Sequence, residues 1–331
     1  MSIPETKIVY KPESEIKKTR HSFPIFQQAE NRDLIYFDNA ATSQRPGQVI
    51  DAQQQFNTEY NANTHRGAYR IAEKATRQYE KSRDKVAGFI GAASSKEIVF
   101  VRGATEAINF VAYGWALKHI QPGDEIILSE LEHHSNLVPW QMVSQKTGAK
   151  LKFVKFDASG QLNMEQFFQL LTTKTKLIAV THMSNVMGSI PDVEAIIRAA
   201  RQVNARVLVD GAQTVPHMPV NVAELGADFY VFSGHKMLGP MGTGVLYAKE
   251  ERLEEMDPVF YGGSMISDVD YFQSTWNDIP WKFEAGTQNI PGVIGLGAAV
   301  DYLQEIGLDK IKSHDETLTT YALEQMQLVN N

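Results

Sequence analysis

The chain has 331 residues, 43% of them hydrophobic, with 23 glycines and 13 prolines, a composition that excludes a disordered, collagenous or low-complexity protein and suits one large or two ordinary globular domains. Its net charge of −7 (32 basic against 39 acidic residues), without a basic cluster, argues against a nucleic-acid partner. It contains no cysteine, which excludes disulfides, thiolate metal sites and a cysteine nucleophile among these residues.

Hydrophobic periodicity predicts helices over 47–60 ("GQVIDAQQQFNTEY") and 68–90 ("AYRIAEKATRQYEKSRDKVAGFI"), then a strand in "EIVFV" and a helix in "TEAINFVAYGWALKHI". The strand "DEIILS", the helix "NLVPWQMVSQKTG", the strand "KLKFVKF", the helix "NMEQFFQLL" and the strand "TKLIAVTHM" follow. The helix "DVEAIIRAARQVN" leads to the strand "RVLVD", and two more strands are predicted at Phe229 to Phe232 and Gly244 to Ala248. Continuously apolar strands separated by helices imply an α/β protein with a mainly parallel sheet covered on both faces. From residue 292 onward the pattern is helical, with no further strand. No apolar run has the length of a membrane span, and "MSIPETKIVYKPESEIKKTR" lacks a signal-peptide core, so a cytoplasmic protein with no membrane partner is expected.

In an open α/β sheet, ligands bind beyond the carboxyl ends of the strands, so the residues just after each strand are the candidates for chemistry. After "EIVFV", Gly103 allows a tight turn and Thr105 stands at a helix start, as an N-cap, a phosphate ligand or both. After "DEIILS" come His133 and His134, whose adjacency does not suit a shared metal; one flat imidazole against a planar ligand suits it better. Asn185 follows "TKLIAVTHM", as a ligand for a substrate carboxylate or as a turn residue. "RVLVD" ends on Asp210, with Gln213 three residues later. Lys236 follows Ser233-Gly234-His235 and precedes the glycine-rich "GPMGTG", which leads into a strand and so does not match a nucleotide-binding loop. A lysine amine for an aldehyde, a carboxylate for a protonated pyridine nitrogen and a helix start for a phosphate are the fixtures required by pyridoxal 5′-phosphate.

The segments "YFDNAATSQRP", "NANTHRG", "VFVRGATEAIN", "LEHHSNLVPWQ", "THMSNVMGSI", "VLVDGAQ", "DFYVFSGHKMLGPMGTGVLY" and "KFEAGTQN" resemble the motifs of the group II, SUF-type cysteine desulfurases of the class V aminotransferase superfamily, over about Leu34 to Gln325. The resemblance implies the fold type I of pyridoxal-phosphate transferases, with a seven-stranded, mainly parallel sheet and an incomplete small domain. It divides the chain into an N-terminal arm (1–33), a large cofactor-binding domain (34–295) and the helical start of a C-terminal small domain (296–331). It makes Lys236 the Schiff-base lysine and His133 the imidazole stacked on the cofactor ring. Asp210 would pair with the pyridine nitrogen, Gln213 with the ring oxygen, and Thr105, Ser233 and His235 with the phosphate. Thr287 would reach the phosphate of the neighbouring subunit of a homodimer, and Asn185 would help hold the substrate carboxylate.

The implied reaction converts L-cysteine to L-alanine and passes sulfur, as a persulfide on an enzyme cysteine, to an acceptor protein of the SUF system for iron–sulfur cluster assembly. In the family that cysteine and a carboxylate-binding arginine lie in a segment corresponding to positions beyond Asn331. The chain is therefore expected to be a truncated desulfurase, inactive on its own, with an uncovered apolar side at Leu303, Ile306, Ile311 and Leu318. A selenocysteine lyase or another class V enzyme, and a non-catalytic cofactor-binding dimer, are the alternatives.

Overall fold

A computed structural model of the chain describes residues 19–329. Seven strands form one sheet: β1 (Ile98–Val101), β2 (Glu125–Ser129), β3 (Lys150–Val154), β4 (Thr175–Thr181), β5 (Arg206–Asp210), β6 (Phe229–Ser233) and β7 (Gly244–Ala248). Their spatial order is β1-β7-β6-β5-β4-β2-β3. Only β7 runs against its neighbours, β1 and β6; every other pairing is parallel.

The apolar runs in the sequence arise because this sheet is covered on both faces. Along β5, Val207 and Val209 point into one buried cluster and Leu208 into the other; along β6, Tyr230 and Phe232 alternate in the same way with Phe229 and Val231. β3 departs from the expected pattern. As the edge strand it buries only Val154 and leaves Lys150 and Phe153 exposed, so it is not buried along its length as the inner strands are. A second departure is the hairpin of β8 (Ile266–Val269) and β9 (Ser274–Trp276), whose polar sequence "ISDVDYFQSTW" carries no core-facing pattern. Tyr271 and Phe272 stand exposed at its tip.

The helices fall where the 3.6-residue pattern places them, including Gly47–Glu59, Arg70–Phe89, Ala104–Val111, Val138–Thr147 and Val193–Gln202. The helix that starts at Ala104 widens into a π-turn over Ala112–Ala116, which buries Trp115. The glycine-rich helix Ile290–Ile306 packs against Gly47–Glu59 and Arg70–Phe89 and runs through position 295 without interruption. Helix Leu308–Gln327 follows. The expectation of an uncovered side at Leu303, Ile306, Ile311 and Leu318 holds at Leu318, which is exposed, and is corrected nearer the body: Leu303 is 2% exposed and Ile311 packs on the main core. Exposed apolar side chains gather later, at Leu323, Met326, Leu328 and Val329, because the turn at Gly307 lays only the start of the last helix against the body. Most of the expected N-terminal arm, 1–18, and the last two residues, 330–331, lie outside the described residues. No described helix is long and apolar enough to cross a membrane.

Candidate active site

The carboxyl ends of β2, β5 and β6 and the start of helix Ala104–Val111 converge on one side of the sheet. A close backbone approach permits this: a Cβ on Gly244 would lie 2.4 Å from the Cα of Gly103, so only glycine lets β7 pass under the turn that starts the helix. The Ala104 N–H donates to Ser233 Oγ (2.9 Å), which fastens that start to the end of β6. The first-turn N–H groups of Thr105 and Glu106 keep no hydrogen-bond partner among the described residues. A cleft of about 780 Å³ opens there, lined by Gly103, Thr105, Asn109, Ser233 and His235 among others. Three of the expected phosphate ligands, Thr105, Ser233 and His235, thus share one cavity wall.

Asp210 ends β5 and is buried. One carboxylate oxygen accepts from the Ala212 N–H (3.0 Å), and the other has no hydrogen-bond partner among the described residues. Burial raises its pKa, while the Ala212 N–H, Lys236 and His133 oppose the rise. Lys236, on the turn after β6, is half-buried; desolvation lowers its pKa, and the Asp210 charge opposes that. His133 is held toward its neutral form by burial and then by Lys236, against the pull of Asp210. The three side chains lie within reach of one another's charges and form no ion pair.

His133 is also oriented from its own backbone. Its Nδ1 accepts from the Ser135 N–H (3.1 Å) and lies 3.1 Å from Ser135 Oγ, which in turn is 2.7 Å from Thr105 Oγ1. One hydroxyl therefore links the expected ring-stacking residue to the expected phosphate ligand. Gln213 is buried, and its Nε2 donates one N–H to the Ala40 carbonyl (2.9 Å), which leaves its second N–H and its amide oxygen without a partner among the described residues. Thr287 is exposed and lines a neighbouring cleft of about 460 Å³ that shares Arg102, Glu106, Phe110 and Phe260 with the first. Asn185 makes no hydrogen bond to these groups; it is exposed in the turn Ser184–Ser189, where Ser184 Oγ accepts from the Val186 and Met187 N–H groups.

Two site residues escaped the sequence reading. Glu132 sits beside His133 and accepts from Ser129 Oγ, the Thr181 N–H (2.9 Å) and Asn136 Nδ2 (2.6 Å), and so ties the ends of β2 and β4 together. Burial drives its carboxyl up to about 8, with Asp210 adding to the rise. Ser43 closes the lysine turn from outside: its Oγ and N–H both donate to the His235 carbonyl (2.9 and 3.0 Å), and its Oγ accepts from the Leu238 N–H (2.8 Å). Glu132 stands within the quoted "LEHHSN", and a carboxylate in the middle of a strand-end motif was the available signal. Ser43 likewise stands within the quoted "YFDNAATSQRP", but its role there was hidden because its partner lies 192 residues away.

Comparison with known proteins follows the same lines. The aminotransferase class-V family model matches residues 35–331. A probable cysteine desulfurase of Halalkalibacterium halodurans is 48% identical over 313 residues, covering 94% of this chain and 76% of that protein. Probable cysteine desulfurase 1 of Mycobacterium leprae is 50% identical over 309 residues, 93% of this chain and 51% of its own length, so the chain spans about half of that relative. Among solved structures, the cysteine desulfurase CsdA of Escherichia coli superposes with a TM-score of 0.87 at 42% identity, over 96% of this chain and 78% of that one. The apo cysteine desulfurase of Thermococcus onnurineus NA1 gives 0.89 at 40%, over 94% and 76%. A sheet that gathers a lysine, a buried aspartate and a helix start at its strand ends, matched over nearly the whole chain in sequence and in structure, places the chain in the class V aminotransferase family, with the cysteine desulfurases.

Proposed function

We propose that this chain binds pyridoxal 5′-phosphate at the carboxyl ends of β2, β5 and β6 and is the cofactor-binding part of a group II, SUF-type cysteine desulfurase. In this reading L-cysteine is the substrate, L-alanine the product, and a SUF acceptor protein receives the sulfur for iron–sulfur cluster assembly in the cytoplasm. The observation that carries it is the buried Asp210 carboxyl, with one oxygen lacking a protein partner, within electrostatic reach of Lys236 and His133. An acceptor left open at the edge of a buried residue in this way suits a cationic ring nitrogen.

The rest of the site fits the same group. Open first-turn N–H groups at Thr105 and Glu106 suit a phosphate, reinforced by the hydroxyl of Thr105. Ser233 Oγ is already an acceptor from Ala104, so its own proton is available for donation. Bound there, the cofactor supplies an aldehyde that condenses with amines and a ring that stores an electron pair. Lys236, its pKa lowered by desolvation, offers more of the neutral amine that such a bond requires and can then carry a proton to and from the substrate carbon. Asp210 would hold the proton on the pyridine nitrogen, neutral His133 would lie against the ring, and Gln213 would serve the ring oxygen. Asn185 receives the substrate carboxylate, and Thr287 reaches the phosphate of the second subunit of a homodimer.

The same proposal keeps the division into an arm (1–33), a large domain (34–295) and a C-terminal unit. These 331 residues hold no cysteine, and no other side chain matches a thiolate as a nucleophile toward sulfur, so the thiol that takes up sulfur lies outside them. Borohydride treatment of the cofactor-loaded protein followed by peptide mapping tests the reading. A pyridoxyl label on Lys236 is expected; label on another lysine, or none on folded protein, would overturn it.

A further inference from the structure

Glu284 stands three residues before Thr287 and is 4% exposed, yet its carboxylate is fully engaged. It accepts from Nη1 (2.7 Å) and Nη2 (2.9 Å) of Arg83, from the Tyr79 hydroxyl (3.0 Å) and from the Phe100 N–H (2.9 Å). Arg83 is 1% exposed and spends its remaining N–H groups on the Ile98 carbonyl (2.7 Å) and Glu80 (2.9 and 3.4 Å). Glu80 also accepts from Trp281 Nε1 (3.2 Å) and lies 2.7 Å from His65 Nε2. One polar knot therefore joins helix Arg70–Phe89, strand β1 and the turn Trp281–Phe283 beneath the sheet.

A buried ion pair is a poor device for stability alone, because well-packed apolar groups often do as well. What such a pair adds is direction, and here it directs a short loop. Glu284 anchors one end of "EAGTQN". Asn289 anchors the other, with its Nδ2 donating to the Gly242 carbonyl (3.1 Å) and its Oδ1 accepting from the Gly292 N–H (3.0 Å). Between them Gly286 takes a φ of +78°, open to glycine, and its N–H donates to the Gly263 carbonyl (2.8 Å). Thr287, at the apex, is exposed, and its hydroxyl has no partner among the described residues. The loop is clamped on both sides while the one hydroxyl it carries stays free.

We infer that the buried Arg83–Glu284 pair is the positioning device of the Thr287 loop, holding that hydroxyl pre-organised for an anion that this subunit's own fold does not supply. This rests on the reading in which Thr287 reaches a cofactor phosphate across a homodimer. Arg83 and Glu284 touch no ligand; they act through the loop.

The test measures the dissociation constant of pyridoxal 5′-phosphate, the visible circular dichroism of the bound cofactor and the melting temperature in a double-mutant design. Thr287→Ala should weaken cofactor binding about tenfold, the loss of one hydrogen bond to a charged group. Arg83→Met combined with Glu284→Leu, which leaves no lone buried charge, should weaken it similarly and change the dichroism. Tyr79→Phe, which removes one hydrogen bond and buries no charge, should weaken it about threefold and keeps the test valid if the paired variant folds poorly. Each effect should vanish when added to Thr287→Ala, because the path runs through that hydroxyl. A lower melting temperature with unchanged cofactor affinity, or losses that add fully to that of Thr287→Ala, would overturn the inference. Full affinity in Thr287→Ala itself would instead overturn the dimer reading on which it rests.

Discussion

Asp210→Asn separates a residue built for a ligand from one built for the fold, because the two roles predict opposite signs. In the ligand-free protein the Asp210 carboxyl is buried, one oxygen is satisfied by the Ala212 N–H and the other by nothing described. Its pKa is raised, chiefly by burial, so the folded state binds the proton more tightly than the unfolded chain does. Stability from such a group is present at low pH and is lost as pH rises from the ordinary aspartate range, about 3.9, through the raised folded value. Near neutral pH the ionised form is thus a burden. Asparagine keeps an oxygen for Ala212 and sheds the desolvated charge, so near neutral pH the ligand-free variant should gain about 1 kcal/mol, or about 2 °C in a chain of this size.

The cofactor reverses that sign. A protonated pyridine nitrogen needs a carboxylate, and removing the charged partner of a buried pair costs about 3 kcal/mol, equivalent to roughly a hundredfold in affinity. Scanning calorimetry with and without pyridoxal 5′-phosphate, together with a fluorescence titration of the cofactor, reads both quantities on the same preparation. The expected result is a crossing: the variant melts higher without cofactor and lower with it. A variant that melts lower in the absence of cofactor and binds the cofactor with unchanged affinity would show that Asp210 is a structural cap, and the reasoning would fail.

Glu132→Gln should flatten the pH dependence of stability. A carboxyl raised to about 8 in the fold gives up stability as pH climbs from about 4.5 to about 8, so the wild-type denaturation midpoint should fall across that window more steeply than the variant's; parallel curves would refute this. His133→Ala should shift the visible absorbance of the bound cofactor and change affinity less than Asp210→Asn does, since ring stacking contributes about 0.5–1.5 kcal/mol beyond burial. An unchanged spectrum would mean that the imidazole is misassigned. Incubated with cofactor and sulfur-labelled L-cysteine, the 331-residue chain should acquire no label that reductant releases; such a label on this chain would place the sulfur on a side chain other than cysteine.

The strand ends that carry the site were readable because its residues end apolar runs, and a run buried on both faces is the plainest signal in a sequence. Asp210, Ser233 and Lys236 could be picked out from "RVLVD" and "DFYVFSGHK" for that reason. Arg83 could not, since an arginine in a charged helix reads as solvent-facing. Yet Tyr79, Arg83 and Val86 fall at spacings of four and three, which puts Arg83 on the same buried face as its apolar neighbours. A charge within the apolar stripe was the sign, and its partner, Glu284, lies 201 residues away, where only the folded chain brings it. The π-turn at Ala112–Ala116 left no mark either, because inserting one residue into a helical turn hardly disturbs an apolar pattern this dense.

The turn that carries Lys236 shows why a site of this kind depends on distant residues. Leu238 takes a positive φ of +66°, a conformation that costs a non-glycine residue about 1–2 kcal/mol, and on its own the turn would relax. It is held because Ser43 grips both sides, donating to the His235 carbonyl and accepting from the Leu238 N–H, while Thr42 Oγ1 donates to the same carbonyl (3.2 Å). Gln213, two positions past Gly211, reaches the same segment through the Ala40 carbonyl. Residues 40–43 therefore bridge the turn after β5 to the turn after β6, and the relative placement of Asp210 and Lys236 is set by a stretch of backbone that contributes no charge of its own. Pre-organisation of this sort fixes where the charges stand before a ligand arrives, so the energy of holding a strained turn is met by folding and none of it is drawn from binding.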